Sequence, residues 1–328
     1  MRDALLLLAF IAGLFTRQAH AAPVVALAFS TDGAVLATAS GRNVTLRDAA
    51  TGRELKKFSC ESERATALAF QPRGTLLAVG TGVPGEKGGV RLLDWRQHKW
   101  RGSIATNVDV LTGVAFSPDG KTLAATSADH SAVLYRIEDS GARLARAFAL
   151  TGHSAAVQAI AFSPDGQTLV TASVDRSLKV WSATDGKLLR SFGQHTDAVH
   201  ALAFRPVTPD RPDAPPYCAS GGDDRTVRVW QPTIGRMVRI VRRHDGPVLA
   251  LVFTPDGRSL FSAGREGIIR RIDADSDEVL GEWRASGDWI YSLAVSPDGR
   301  TLAAGDWSGA VRRWSVGVKE IGRLNGEE

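Results

Sequence analysis

Residues 152–181, GHSAAVQAIAFSPDGQTLVTASVDRSLKVW, decide the fold. They hold an alternating run at 157–162, a turn of Ser163, Pro164, Asp165 and Gly166, and two further β-favouring runs at 168–172 and 178–181, parted by Val174, Asp175 and Arg176. Proline presets φ, aspartate bonds its own backbone, and glycine takes the positive φ that closes a hairpin, so each run reads as a short strand. Three strands and two tight turns fit into about thirty residues.

The unit recurs along the chain. Its anchor, Phe162, returns as Phe29, Phe70, Phe116, Phe204 and Phe253 and, conservatively changed, as Val295, at intervals of about 41 to 49 residues. That period lies at or just beyond the length of a four-stranded propeller blade, and seven copies make a ring. In each copy the first strand is apolar nearly throughout, whereas the last alternates with charge. The first is therefore expected innermost and the last outermost.

On these residues the chain resembles the WD-repeat β-propeller family, as an exported, bacterial-type member. Gly152 and His153 match the family's Gly-His opening, and Trp181 stands where the closing Trp-Asp belongs, with Ser182 in place of the Asp; His195, Asp224 and Trp230 repeat the pattern. The resemblance implies an all-β fold, a seven-bladed β-propeller of four-stranded antiparallel blades, over residues 22–328. It also implies that His153, Thr171, Asp175 and Trp181, and likewise His195, Ser220, Asp224 and Trp230, are structural tetrads. A His, a hydroxyl and an Asp in that order also describe a hydrolase triad, but a set that recurs in two blades points to a buried network rather than a substrate site. His244, Ser262 and Glu266 form a version without the Trp. The departures are Arg47, Tyr135 and Ile272 at the Trp position of blades one, three and six.

At the amino terminus, Arg2, an apolar run at 4–15 and Ala19-His20-Ala21 read as a secretory signal covering residues 1–21. The run is too short for a comfortable membrane span and no later stretch replaces it, so a secreted, periplasmic protein without a stable membrane span is expected. Removal of residues 1–21 leaves nothing to pair with the last blade from the other terminus, as most of the family does. The segment 316–324 is expected to supply that outer strand, with blades one and seven meeting through side chains alone.

The two cysteines, Cys60 and Cys218, fall in distant blades and are expected to be unpaired. No metal-ligand or haem-attachment spacing occurs, so no metal and no cofactor are expected. The formal charge of +5 is spread over the chain. The basic residues at 236–243 and Arg270, Arg271, Arg312 and Arg313 read as solvent-facing positions on alternating strands, and nucleic acid is not an expected partner. Insertions at 82–89 in blade two and 207–216 in blade five read as surface loops on the top and bottom faces.

The family's layout makes the top face the place for a partner. Offsets from the anchors put Trp289, Tyr291, Trp307 and Arg265 there together, with His200 and Arg64 at other blades. Aromatic and arginine side chains supply binding anchors. The expected function is a monomeric, non-enzymatic scaffold that holds a partner protein or peptide on its top face. Two alternatives stand beside it: an accessory or sensor subunit of a periplasmic redox complex, and a propeller-type hydrolase.

Overall fold

The computed structural model describes residues 21–107, 109–138, 143–316 and 320–324. These residues form seven antiparallel four-stranded sheets in chain order and no helix, a seven-bladed propeller. In blade four the strands are Val157–Phe162, Thr168–Ser173, Leu178–Ser182 and Leu188–Phe192, each hydrogen-bonded to the next. The Ser-Pro-Asp-Gly turns hold as local chemistry predicts. Ser163 Oγ donates to Asp165 Oδ1 at 2.5 Å, Asp165 accepts the N–H of Gln167, and Gly166 sits at φ +69°. The same Ser or Thr to Asp bond recurs in blades one, three, six and seven.

The first strand of every blade lies innermost. Just past an irregularity near its start, seven positions in matching register line the central channel: Ala26, Ala67, Gly113, Ala159, Ala201, Ala250 and Ser292. All seven are small because seven strands converge there. The core lies between blades. Seven clusters of buried apolar residues each span one blade interface, for example Val170, Val180, Phe192, Val199 and Trp230 between blades four and five. Burial at about 25 cal/mol per Å² makes these faces the main source of cohesion, and a blade cannot bury them alone.

The ring closes without strand exchange. The strand Glu320–Leu324 pairs with Val311–Ser315 as the outer strand of blade seven. Side chains do the rest. Val24, Leu27 and Leu36 pack on Ala294, Ala303 and Val311, Ser292 Oγ donates to the Val24 carbonyl, and Arg313 donates to the carbonyls of Ala49 and Ala50. At this seam Gly309 has φ +82°, and a Cβ there would come within 2.9 Å of the Ala22 carbonyl oxygen, so glycine is favoured.

Two expectations need correction. The blade-two insertion is not a loop. Its residues extend the strands Leu76–Val83 and Lys87–Asp94 into one long hairpin paired as far as Val83 and Lys87. Gly82, Gly88 and Gly89 let this hairpin lie against neighbouring backbone, since a Cβ on Gly88 would meet the Asp109 carbonyl at 2.1 Å. The third-strand arginines Arg270 and Arg313 are not solvent-facing either, and Arg271 and Arg312 are half-buried, whereas Arg136 of blade three does face solvent. Arg270 and Arg313 are only 3% and 5% exposed, and Arg228 is buried as well. Their charges are met inside, by acids or by carbonyls of the adjoining blade. The blade-five insertion does run over the face opposite the 2–3 turns, where Arg205 and Arg211 both clasp Asp275 of blade six. Cys60 and Cys218 are both free and buried.

Candidate functional site

Polar and aromatic side chains concentrate in two places, with opposite surroundings. In blade four, Trp181 Nε1 donates to Thr171 Oγ1 at 2.8 Å, Thr171 Oγ1 lies 2.8 Å from His153 Nε2, and His153 Nδ1 lies 2.8 Å from Asp175 Oδ2. Because the indole can only donate, the hydroxyl passes its own proton to Nε2, and the imidazole donates from Nδ1 to the carboxylate. Blade five repeats the chain with Trp230, Ser220, His195 and Asp224 at 2.8, 2.7 and 2.8 Å. Burial raises the Asp175 carboxyl, but hydrogen bonds from Ser177, the Ser154 N–H and His153 together outweigh it and hold it at about 2. Burial also lowers His153. Thr171 and Ser220 are wholly buried and their lone pairs and protons are spent within the network. These hydroxyls have no free path to a substrate carbonyl.

Blades five to seven add a partner that the sequence reading missed. An arginine two residues before the Trp position reaches back to the blade's acid: Arg228 to Asp224 at 3.1 Å, Arg270 to Glu266, and Arg312 to Asp306. In blade six His244 lies 2.6 Å from Glu266 and 2.8 Å from Ser262, and although burial raises Glu266, bonds from His244 and Arg270 hold it at about 2. In blade seven the acid has moved two residues towards the amino terminus, to Asp306, where Ser286 donates to it at 2.7 Å in place of a histidine. A cation in an otherwise apolar third strand, at one offset in several blades, was the available signal.

The second concentration is open to solvent. Trp289 precedes the inner strand Ile290–Val295 of blade seven, and Trp307 follows the second strand Thr301–Asp306. A backbone bond from Trp307 N–H to the Trp289 carbonyl, 2.9 Å, ties the two loops. The rings of Trp289, Tyr291 and Trp307 then meet pairwise, with centroids 6.3, 6.0 and 5.9 Å apart. The Arg265 guanidinium of blade six lies 4.5 Å from the Trp289 ring centre, a cation–π contact. Trp289 and Trp307 nevertheless remain 39% and 51% exposed.

Two residues expected on this face stand apart from that cluster. His200 lines the central channel in blade five, its Nε2 3.0 Å from Asp223 Oδ1. Arg64 faces Trp307 and Tyr291 across a cleft of about 590 Å³ that also takes in Pro23, Val25, Arg42 and Pro84. The sequence reading did not find this cleft, because its walls come from four blades and from chain positions almost three hundred residues apart. Among the described residues no group of His, Cys, Asp or Glu is placed to hold a metal ion, and no helix is long and apolar enough to cross a membrane.

Comparison with known proteins matches the description "WD domain, G-beta repeat" to residues 13–48, 96–136, 145–182, 186–231, 235–273 and 278–315. The first three strands of blade two, with its lengthened hairpin, fall in the interval between the first two matches, and its outer strand Lys99–Asn107 lies in the second. The chain is also similar to human Echinoderm microtubule-associated protein-like 2, 32% identical over 93 residues, and to the mouse protein of the same name to the same extent. That similarity covers 28% of this chain and 14% of the relatives' length.

Proposed function

The chain belongs to the WD-repeat family, and from that premise we propose that it is a non-enzymatic scaffold which holds a partner protein or peptide on the blade-seven side of its top face. The observation that carries this reading is the exposed cluster of Trp289, Tyr291 and Trp307 with Arg265 beside it. WD propellers are typically interaction scaffolds, yet fold by itself does not assign a site. Aromatic and arginine anchors do, since residues of this kind supply most of the energy at interfaces, about 2 kcal/mol or more each at hot spots. Large apolar rings left in water cost free energy, and a partner that covers them recovers it.

The rest of the reading follows from the surroundings. The buried, fully bonded state of Thr171 and Ser220 argues for maintenance of the fold rather than hydrolysis. Arg228, Arg270, Arg312 and Arg313 are paired inside the blades, which removes part of the surface that a nucleic acid would need. The compartment we propose is the periplasm, on the strength of the signal-like residues 1–21, of which 1–20 lie outside the described residues. The protein acts there as a monomer. Amino-terminal sequencing of the protein recovered from a periplasmic fraction tests the compartment, and an intact leader would contradict it.

The function itself is tested by replacing Trp289, Trp307 and Arg265 with Ala together. Affinity purification followed by reconstitution with the purified partner should show binding to the native chain and loss of it in the variant at an unchanged melting temperature. Retained binding would remove the assignment.

A further inference from the structure

The cleft beside the aromatic cluster specifies the chemistry of what it takes. Resting on the top-face reading above, we infer that the cleft between blades seven, one, two and three seats an extended partner segment in which acidic side chains flank an aromatic or proline residue. Its volume of about 590 Å³ falls in the range that holds ordinary ligands and short peptide stretches. Trp307 and Tyr291 form one wall and Pro84 of the long blade-two hairpin contributes to the other, over a bed that includes Pro23 and Val25. Flat apolar walls of this kind suit a ring or a pyrrolidine, because both bury area with little loss of side-chain freedom.

Charge supplies the second half of the specificity. Among the described residues, the charged side chains that line the cleft are those of Arg42 and Arg64. Both are exposed, and neither side chain has an ion pair or hydrogen bond among the described residues. This sets them apart from Arg228, Arg270, Arg312 and Arg313, each of which is met by an acid or a carbonyl. Asp109, next in sequence to Val110 of the lining, is not itself part of the lining and accepts the N–H groups of Gly85 and Val110. Two unspent guanidinium groups at the rim of an apolar bed attract carboxylates, which they bind in paired hydrogen bonds. Two cations without a continuing row do not follow a phosphate backbone, so the bed favours a peptide over nucleic acid.

The test uses the full chain and three fluorescein-labelled peptides of equal length. One has Asp and Glu around a Phe-Pro pair, one has Lys at those acidic positions, and one keeps the acids but has Ser and Gly for Phe and Pro. Fluorescence anisotropy should show the first bound about tenfold or more tightly than either of the others, with the gap over the Lys peptide shrinking as salt is raised. Arg42→Glu with Arg64→Glu should reverse the preference between acidic and basic peptides, and the milder Arg42→Gln with Arg64→Gln should erase it. Equal affinity for acidic and basic peptides, no binding, a preference untouched by either arginine pair, or tighter binding of single-stranded DNA of the same length would overturn the inference. So would self-association that the acidic peptide fails to displace, which would make a second copy the occupant. If the charge preference fails while loss of Trp289 and Trp307 still abolishes partner binding, the ligand class is wrong and the top-face function stands. If the tryptophans prove dispensable, both fall.

Discussion

Blade four and blade seven are copies of one unit, and each gathers tryptophan with polar neighbours near its upper end. In blade four the indole of Trp181 is 2% exposed and its N–H is bonded to Thr171. In blade seven the register-equivalent Trp314 is likewise buried, but two further tryptophans, Trp289 and Trp307, stand on the loops with about half or a little less of their surface in water. The difference teaches that residue type does not separate structural from functional positions in a repeat protein. Burial and satisfaction of polar groups do. A side chain whose every donor and acceptor is paired within its own blade maintains that blade, and one left exposed beside an unpaired cation is free to meet something else.

The comparison breaks most sharply at Trp181. Trp181→Ala should cost about 4 kcal/mol of stability through the cavity and the unpaired hydroxyl it leaves. Denaturant unfolding would check this, and a loss below about 1 kcal/mol would mean the tetrad is not structural. Removing the acid of blade six comes next. Glu266→Ala leaves the buried Arg270 with the exposed Glu282 as its remaining acid and should cost about 3 kcal/mol. Restoration of stability by a second change, Arg270→Met, would show that the uncompensated charge was the cause.

Acid should sharpen the same contrast. Asp175 and Glu266 are held at about 2 in the folded chain, below the ordinary carboxylate value, so the unfolded chain takes up protons first as pH falls. Their contribution is present in full above about pH 4.5 and disappears as pH drops through about 2. Melting temperature followed between those limits should fall, and Asp175→Asn should flatten part of the slope. The smallest effect belongs to the other side of the comparison. Trp307→Ala should change stability by no more than about 0.5 kcal/mol, since the ring is half in water. A loss comparable to that of Trp181→Ala would reclassify the cluster as core.

Much of this architecture was legible in the chain. Phe162 and its six counterparts set the blade count, and the Ser-Pro-Asp-Gly turns marked the hairpins, because both follow from local chemistry repeated at a fixed interval. The third-strand arginines were misread for a physical reason: alternation distinguishes two faces of a strand but not whether the polar face meets water or a neighbour's acid. Blade two was hardest, since its glycines replace the usual turn by a longer hairpin. The blade-seven cluster could be assembled by offset from the anchors, because Trp289, Tyr291 and Trp307 lie in one repeat. The cleft could not, because Arg42, Arg64 and Trp307 are brought together only by closure of the ring.

The most direct test of the central claim is hydrogen–deuterium exchange of the full chain with and without its purified partner. Binding at the exposed cluster should protect the backbone amides of 286–291 and 305–309 and those around Arg64, while the turns at 163–166 and 254–257 on the opposite face exchange as before. Protection confined to those opposite turns, with the blade-seven loops unchanged, would contradict the account.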